Sequence, residues 1–247
     1  MKAFLAIGVF TLRKLMGRRR VTGLLLLTVL PAIIVALVGK SAGDPEQLTR
    51  GLTVGVLLAV AIPVVALVNS SAALGDQRRE HLLPYMTLKP LPRSVIVGAV
   101  LAGSVLATLA IGGAGVAALW LAGGWVTGSW TVGWPAAVAL IVSALSYGAV
   151  FIPVGYLFRR GTLIGLIYIF FWEAILASAV PTLATSSLWR IGLAAYLGLL
   201  AEPAKEFVDL LGTVQPGVGG AFVKAGVLVV VSVLLTTWLL RSRDQVI

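Results

Sequence analysis

The chain has 247 residues, of which 59% are hydrophobic and only 11% are charged; its formal net charge is +10 and its mean hydropathy is +1.04. This composition excludes a soluble globular domain and indicates a polytopic membrane protein. The sequence contains no cysteine and a single histidine, His81, so disulfides, thiolate metal sites and imidazole clusters are excluded as well.

The N-terminal segment combines apolar side chains with a basic cluster that ends at Arg20. This combination predicts an interfacial helix over residues 1–20, lying on the inner membrane surface. A frayed basic tail is the alternative interpretation. The apolar positions of the segment are Phe4, Leu5, Ile7, Phe10, Leu12, Leu15 and Met16.

Apolar runs long enough to cross a membrane follow, since a hydrocarbon core of roughly 30 Å takes about 20 residues. Hydrocarbon offers no partner to backbone N–H and C=O groups, and the runs lack the alternation of a barrel strand. The predicted fold is therefore all-α, a single transmembrane domain over 1–247 with six membrane-spanning helices. The runs are 22–38, 52–74, 95–121, 135–158, 162–180 and 221–240.

The first run is predicted to be a retained anchor and not a cleaved signal peptide. It is longer than the apolar core of a signal peptide, and no small-x-small cleavage site follows at Gly39-Lys40-Ser41. The same triplet is not a phosphate-binding loop, because Ile34 stands where the preceding glycine is required. The sequence therefore predicts no nucleotide site, no cofactor and no catalytic residue in this chain.

The basic residues predict the orientation. With the N-terminus in the cytoplasm, the inner segments hold 14 of the Lys and Arg residues and the outer segments hold 5. This asymmetry favours a multi-pass protein of the cell membrane with both termini cytoplasmic. It also explains the pI near 10.5 without nucleic acid as a partner. The five outer residues are Lys40, Arg50, Arg190, Lys205 and Lys224.

The cytoplasmic loop over residues 75–93 joins the second and third runs. It combines charged residues with apolar ones and ends in Pro90-Leu91-Pro92-Arg93, where proline prevents the helix from continuing. A short amphipathic helix across the membrane face is predicted, as a docking surface for a cytosolic partner. An ordinary solvated connector is the alternative. The candidate docking residues are Arg78, Arg79, Glu80, Leu82, Leu83, Tyr85 and Arg93.

Glu173 is the only acid in the fifth run. A carboxylate inside a membrane costs roughly 2.5–3.5 kcal/mol on insertion scales, so it is expected to face protein or water. Glu173, Trp172 and Tyr147 are the candidate residues of a translocation route or of an interface between membrane subunits. The alternative is a protonated carboxyl that hydrogen-bonds a neighbouring helix and serves packing. Candidate partners of this carboxyl are Tyr147, Ser143, Ser146 and Thr108.

Two further patterns bear on the architecture. Residues 188–200 are apolar apart from Arg190 but too short to cross, so the outer segment 181–220 is predicted to hold a re-entrant or interfacial helix before the last span. The pairs Gly51/Gly55 and Gly161/Gly165 have the spacing that lets helices approach closely, within one subunit or at a dimer seam.

The loop and the fifth run carry motifs that occur together in one family. Glu80 is followed by Leu82-Leu83-Pro84-Tyr85 and Lys89-Pro90-Leu91-Pro92-Arg93, and the fifth run contains Tyr168-Ile169-Phe170-Phe171-Trp172-Glu173. With an amphipathic N-terminal helix and six spans, the chain resembles the permease subunits of type-2 ATP-binding-cassette (ABC) exporters. Pro84 departs from the pattern of many relatives, which implies a shortened coupling helix.

The resemblance implies the membrane subunit of an exporter that works with a separate cytosolic ABC ATPase, which binds ATP and Mg²⁺. A second copy or a related permease completes the pathway among the membrane lipids, and the expected cargo is amphipathic or lipid-like. Two other classes remain open. An ion-coupled secondary transporter would use Glu173, but the sequence lacks an internal repeat. A membrane-integral enzyme would need a cluster of catalytic polar groups, which the runs do not contain.

Overall fold

The computed structural model describes residues 2–79, 91–176, 185–212, 214–215 and 217–243. All regular structure within these ranges is helical. The α-helices are α1 (Lys2–Leu15), α2 (Arg18–Val38), α3 (Pro45–Leu52), α4 (Ile62–Arg79), α5 (Arg93–Thr127), α6 (Gly133–Leu157), α7 (Gly161–Ile167), α8 (Leu188–Leu197), α9 (Lys205–Asp209) and α10 (Val218–Arg243). Two π-helical stretches, Thr53–Ala61 and Tyr168–Leu176, join α3 to α4 and extend α7.

Among the described residues, five helical segments are long and apolar enough to cross a membrane. They overlap five of the predicted runs, and together they form the architecture of a multi-pass membrane protein. The remaining run coincides with the shorter apolar helix Gly161–Leu176, beyond which residues 177–184 are not described. The count of six spans therefore stays a prediction. The five long segments are Arg18–Ser41, Pro45–Arg78, Arg93–Thr127, Gly133–Leu157 and Val218–Ser242.

Local signals set where the helices begin and end. Asp44 caps α3 through a side-chain oxygen that accepts the amide N–H groups of Glu46 and Gln47, each at 3.0 Å, and Pro45 occupies the first helical turn. Gly128 ends α5 in the left-handed conformation, with φ of 71°, which glycine adopts without steric cost. The helices on either side of these two positions are joined by short connections, and they therefore lie close together in the bundle.

Helix α6 forms the centre of the bundle, packed against α4, α5, α8 and α10. Its side chains Tyr147 and Phe151 are at most 1% exposed. By contrast, α10 turns large apolar side chains such as Leu234 and Trp238 outward, as expected of a surface that faces lipid or another subunit. The described part of the chain is thus a bundle with a closely packed centre and an apolar exterior.

Glycines bring three of these backbones into contact. A Cβ at Gly155 would collide with the backbone of Ser71, and a Cβ at Gly75 would lie 2.9 Å from the carbonyl oxygen of Gly155. The predicted close approach also holds for the Gly161/Gly165 pair, where a Cβ would meet the Gly155 backbone and the Leu67 side chain respectively. Gly51 and Gly55 have no heavy atom within 4 Å of an added Cβ, so their spacing does not mark packing within the subunit.

Polar contacts tie five helix ends together at one end of the bundle. Arg20 pairs with Asp76 at 3.3 Å, joining the start of α2 to the end of α4. Arg93 Nη1 donates to the carbonyl oxygen of Leu240 at 3.0 Å, joining the start of α5 to the end of α10. Arg78 Nη1 donates to the carbonyl oxygen of Tyr156 at 2.6 Å, joining α4 to α6. We call this end of the bundle the basic end.

Helix α1 packs near the basic end, since its Gly8 lies beside Ala99 and its Thr11 beside Gly103 of α5. Its position relative to a membrane surface stays a prediction. At the opposite end, Lys40 Nζ lies 4.3 Å from the centre of the Trp125 ring. The described beginning and end of the chain therefore lie at the same end of the bundle, and the basic asymmetry predicts that this end is cytoplasmic.

Single cysteines test that orientation, because the chain has none of its own. Ser41→Cys and Ser242→Cys place exposed thiols near opposite ends of the bundle. In intact cells an impermeant maleimide should label Ser41→Cys, and it should label Ser242→Cys only after permeabilisation. The reverse pattern would show that the basic end faces outward.

Candidate functional site

Glu173 is buried, with 7% of its surface exposed, at a junction of three helical segments. Its Oε2 accepts the Tyr147 hydroxyl of α6 at 2.7 Å and the Trp189 amide N–H of α8 at 3.0 Å. Its Oε1 accepts the Leu188 amide N–H at 3.1 Å. Tyr168, on the same π-helical stretch as Glu173, directs its hydroxyl at the carboxylate too. The carboxylate therefore joins its own segment to α6 and α8.

The amide N–H groups of Leu188 and Trp189 show that Glu173 acts as an N-terminal cap of α8. The first N–H groups of a helix have no partner inside the helix, and an end buried among other helices is not hydrated. Glu173 accepts the first two, and the Ser187 hydroxyl oxygen accepts the third, from Arg190, at 3.3 Å. Glu173 and Ser187 together cap a helix that begins inside the bundle.

Helix α8 runs from the middle of α6 toward the end opposite the basic end. Its first residues meet Glu173 at the level of Tyr147, and an added Cβ at Gly192 would collide with the Ser143 hydroxyl one turn further along. Leu197 then shares an apolar cluster with Val132 and Ala136 at the start of α6. All ten residues of α8 except Trp189 are buried, so the helix is part of the bundle.

The π-helical backbone around Glu173 contributes to the same arrangement. Such wide turns are rare and re-aim side chains relative to a regular α-helix. Tyr168 lies edge-on to Phe151 with ring centres 6.0 Å apart, and Phe151 stacks on Tyr147 at 5.7 Å. Tyr147 and Tyr168 therefore contribute both to this aromatic cluster and to the polar contacts of the carboxylate.

The structure selects among the partners predicted for Glu173. Tyr147 is confirmed. Ser143 packs against Gly192, and Thr108 instead accepts from Asn69 Nδ2 at 3.3 Å. Ser146 is buried and has no hydrogen-bond partner among the described residues.

Sequence reasoning missed the backbone of α8 as a partner of the carboxylate. The signal that would have indicated it is Ser187 immediately before an apolar run, which is typical of a helix start. Trp172, the remaining candidate, is half-buried beside Glu173. The geometry gives Glu173 a packing role, and a part for Glu173 or Trp172 in translocation stays a prediction.

The structure describes only part of the predicted docking loop. Glu80, Leu82, Leu83 and Tyr85 lie outside the described residues, and Arg79 is described only as the last helical residue of α4. The flanks are described, and both reach into the bundle: Arg78 on one side and Arg93 on the other, through the contacts of the basic end. Arg78 also lies over the Tyr156 ring, 5.4 Å from its centre.

In the described part of the chain, no group of three or more His, Cys, Asp or Glu residues is arranged to hold a metal ion. Comparison with known proteins does not identify the family: no family model matches the chain, and no curated protein matches it. The resemblance to type-2 exporters consequently enters below as a proposal.

Two tyrosine variants test the hydrogen bond between Tyr147 and Glu173. Tyr147→Phe removes a donor from the buried carboxylate and should lower the free energy of unfolding in detergent by about 1 kcal/mol. Tyr196→Phe is the control, because the Tyr196 hydroxyl is equally buried but has no hydrogen-bond partner among the described residues. Its effect should stay below about 0.5 kcal/mol. Equal losses in a denaturant titration would contradict the assigned hydrogen bond.

Proposed function

We propose that the chain is the membrane-spanning permease subunit of an ATP-driven exporter of the type-2 ABC class. It would work with a separate cytosolic ATPase that binds ATP and Mg²⁺, and with a second copy or a related permease. The observation that carries the proposal is the anchoring of the 75–93 loop: both of its flanks are hydrogen-bonded into the basic end of the bundle. The loop motifs with Glu80 and Arg93 supply the resemblance.

The anchors define a route by which force on the loop would reach the spans. On the α4 side, Asp76 pairs with Arg20 of α2, and Arg78 donates to the Tyr156 carbonyl of α6. On the α5 side, Arg93 donates to the Leu240 carbonyl of α10. Closure of an ATPase dimer against this loop would therefore displace several helix ends together. Such a rigid-body change needs a packing with two stable arrangements and no catalytic residue in the permease.

Exposed apolar side chains on the outside of the bundle favour the hypothesis that two permeases share one pathway. Side chains such as Leu26 of α2 and Val223 of α10 are 64% and 67% exposed, and they offer apolar surface to lipid or to a second permease. An apolar boundary of this kind suits amphipathic or lipid-like cargo. Ion-coupled transport through Glu173 is less well supported, because the donors of α6 and α8 already occupy that carboxylate.

Charge reversal in the loop tests the proposal. Glu80→Arg would place a like charge against a basic group of the ATPase, and a desolvated clash at an interface costs several kcal/mol. The variant should insert normally, yet lose its ATPase on co-purification or uncouple ATP hydrolysis from substrate. Leu83→Asp should act in the same way by removing an apolar anchor.

The matched control is Glu202→Arg, an equal charge change at an exposed residue outside the basic end. It should leave ATPase binding and transport unchanged. Full transport by both loop variants would remove the loop from the coupling mechanism, and with it the main support for the exporter assignment.

A further inference from the structure

A recess of about 580 Å³ opens at the basic end between α4, the end of α6 and the start of α7. It is built on the glycine contacts of this corner, where Gly75, Gly155 and Gly161 bring three backbones together. Ser71 and Thr162 share a hydrogen bond of 2.9 Å between their hydroxyls at the wall. The recess therefore lies between closely packed helix backbones.

Arginines dominate the charge of this recess. Arg78, Arg159 and Arg160 line it, and no acid stands among its described lining residues. Arg78 is already oriented, because it donates to the Tyr156 carbonyl at 2.6 Å and lies over the Tyr156 ring. A guanidinium binds phosphate oxygens in pairs, and its planar group is preorganised for doing so. The recess therefore has the chemistry of a phosphate site.

An apolar surface continues from the recess along α7. Phe158, just before α7, and Leu163 of α7 line the recess and are 47% and 52% exposed. Ile167, at the end of α7, is 64% exposed. The turn at Arg159 and Arg160 joins two apolar helices, so it lies where a membrane surface would be. A ligand with an anionic head and apolar chains would satisfy both surfaces at once.

We propose that this recess binds the phosphate headgroup of an anionic phospholipid, whose acyl chains lie along the exposed face of α7. The proposal does not depend on the exporter assignment, since it uses only the recess and the adjoining apolar surface. Phosphate from solution would satisfy the arginines alone. A lipid also covers Leu163 and Ile167, which argues for the lipid.

Binding of fluorescent phosphatidylglycerol to the purified full chain in detergent tests the proposal. Arg159→Gln with Arg160→Gln removes two guanidinium groups that would bind the phosphate oxygens, so it should weaken binding by about tenfold or more. The control is Arg18→Gln with Arg19→Gln, which removes equal charge from exposed residues outside the recess. It should change the affinity by less than about twofold, because salt screens exposed charges that lie outside the recess. Arg159→Lys with Arg160→Lys keeps the charge but loses the paired contacts, so its affinity should lie between those of the unaltered protein and the glutamine pair.

Competing ligands show whether the recess binds an anionic lipid or free phosphate. Fluorescent phosphatidylcholine should bind more weakly than phosphatidylglycerol, and inorganic phosphate at equal concentration should not displace the bound lipid. Displacement of the lipid by inorganic phosphate would show that the recess is a site for free phosphate. An equal loss of lipid affinity in the 159/160 and the 18/19 variants would show that general surface charge, and not the recess, attracts the lipid. Either result overturns the proposal. If the double variant does not yield folded protein, Arg159→Gln alone should still weaken binding by about threefold.

Discussion

A helix that begins inside a membrane protein must find acceptors for its first amide N–H groups, because hydrocarbon supplies none. Helix α8 is in this position, and Glu173 supplies two of its acceptors while Ser187 supplies the third. The same carboxylate accepts the Tyr147 hydroxyl of the central helix α6. One acid in an apolar run thus satisfies a buried helix end and fixes where that end lies.

At the basic end, side chains likewise supply hydrogen-bond partners for the ends of helices. Arginines there donate to carbonyl oxygens at the C-terminal ends of α6 and α10, which lack partners within their own helices. Cations at these ends also complement the helix dipoles. A buried acid thus fixes the start of α8 at the middle of α6, and arginines fix the ends of the long helices at the basic end.

Sequence alone predicts the long helices well, since an apolar run in hydrocarbon has no alternative to helix. It also gives Tyr147 as one of four candidate partners of Glu173, because few polar side chains occur within the runs, and the structure was needed to choose among them. It could not predict the amides of Leu188 and Trp189, since every residue carries a backbone donor and only the fold shows which ones lack partners. The Gly51/Gly55 and Gly161/Gly165 pairs share one spacing, yet only the second is packed within the subunit. Spacing indicates a small helix face and does not identify what meets it.

Hydrogen–deuterium exchange at the start of α8 tests the role of Glu173 most directly. In the unaltered protein, the amides of Leu188 and Trp189 should exchange slowly, because both donate to the buried carboxylate. In Glu173→Gln, the side-chain amide has one acceptor in place of two, so peptides covering these residues should exchange faster, whereas peptides from the middle of α5 should not change. Equal protection of the α8 amides in both proteins would contradict the account, because it would mean that another group caps this helix.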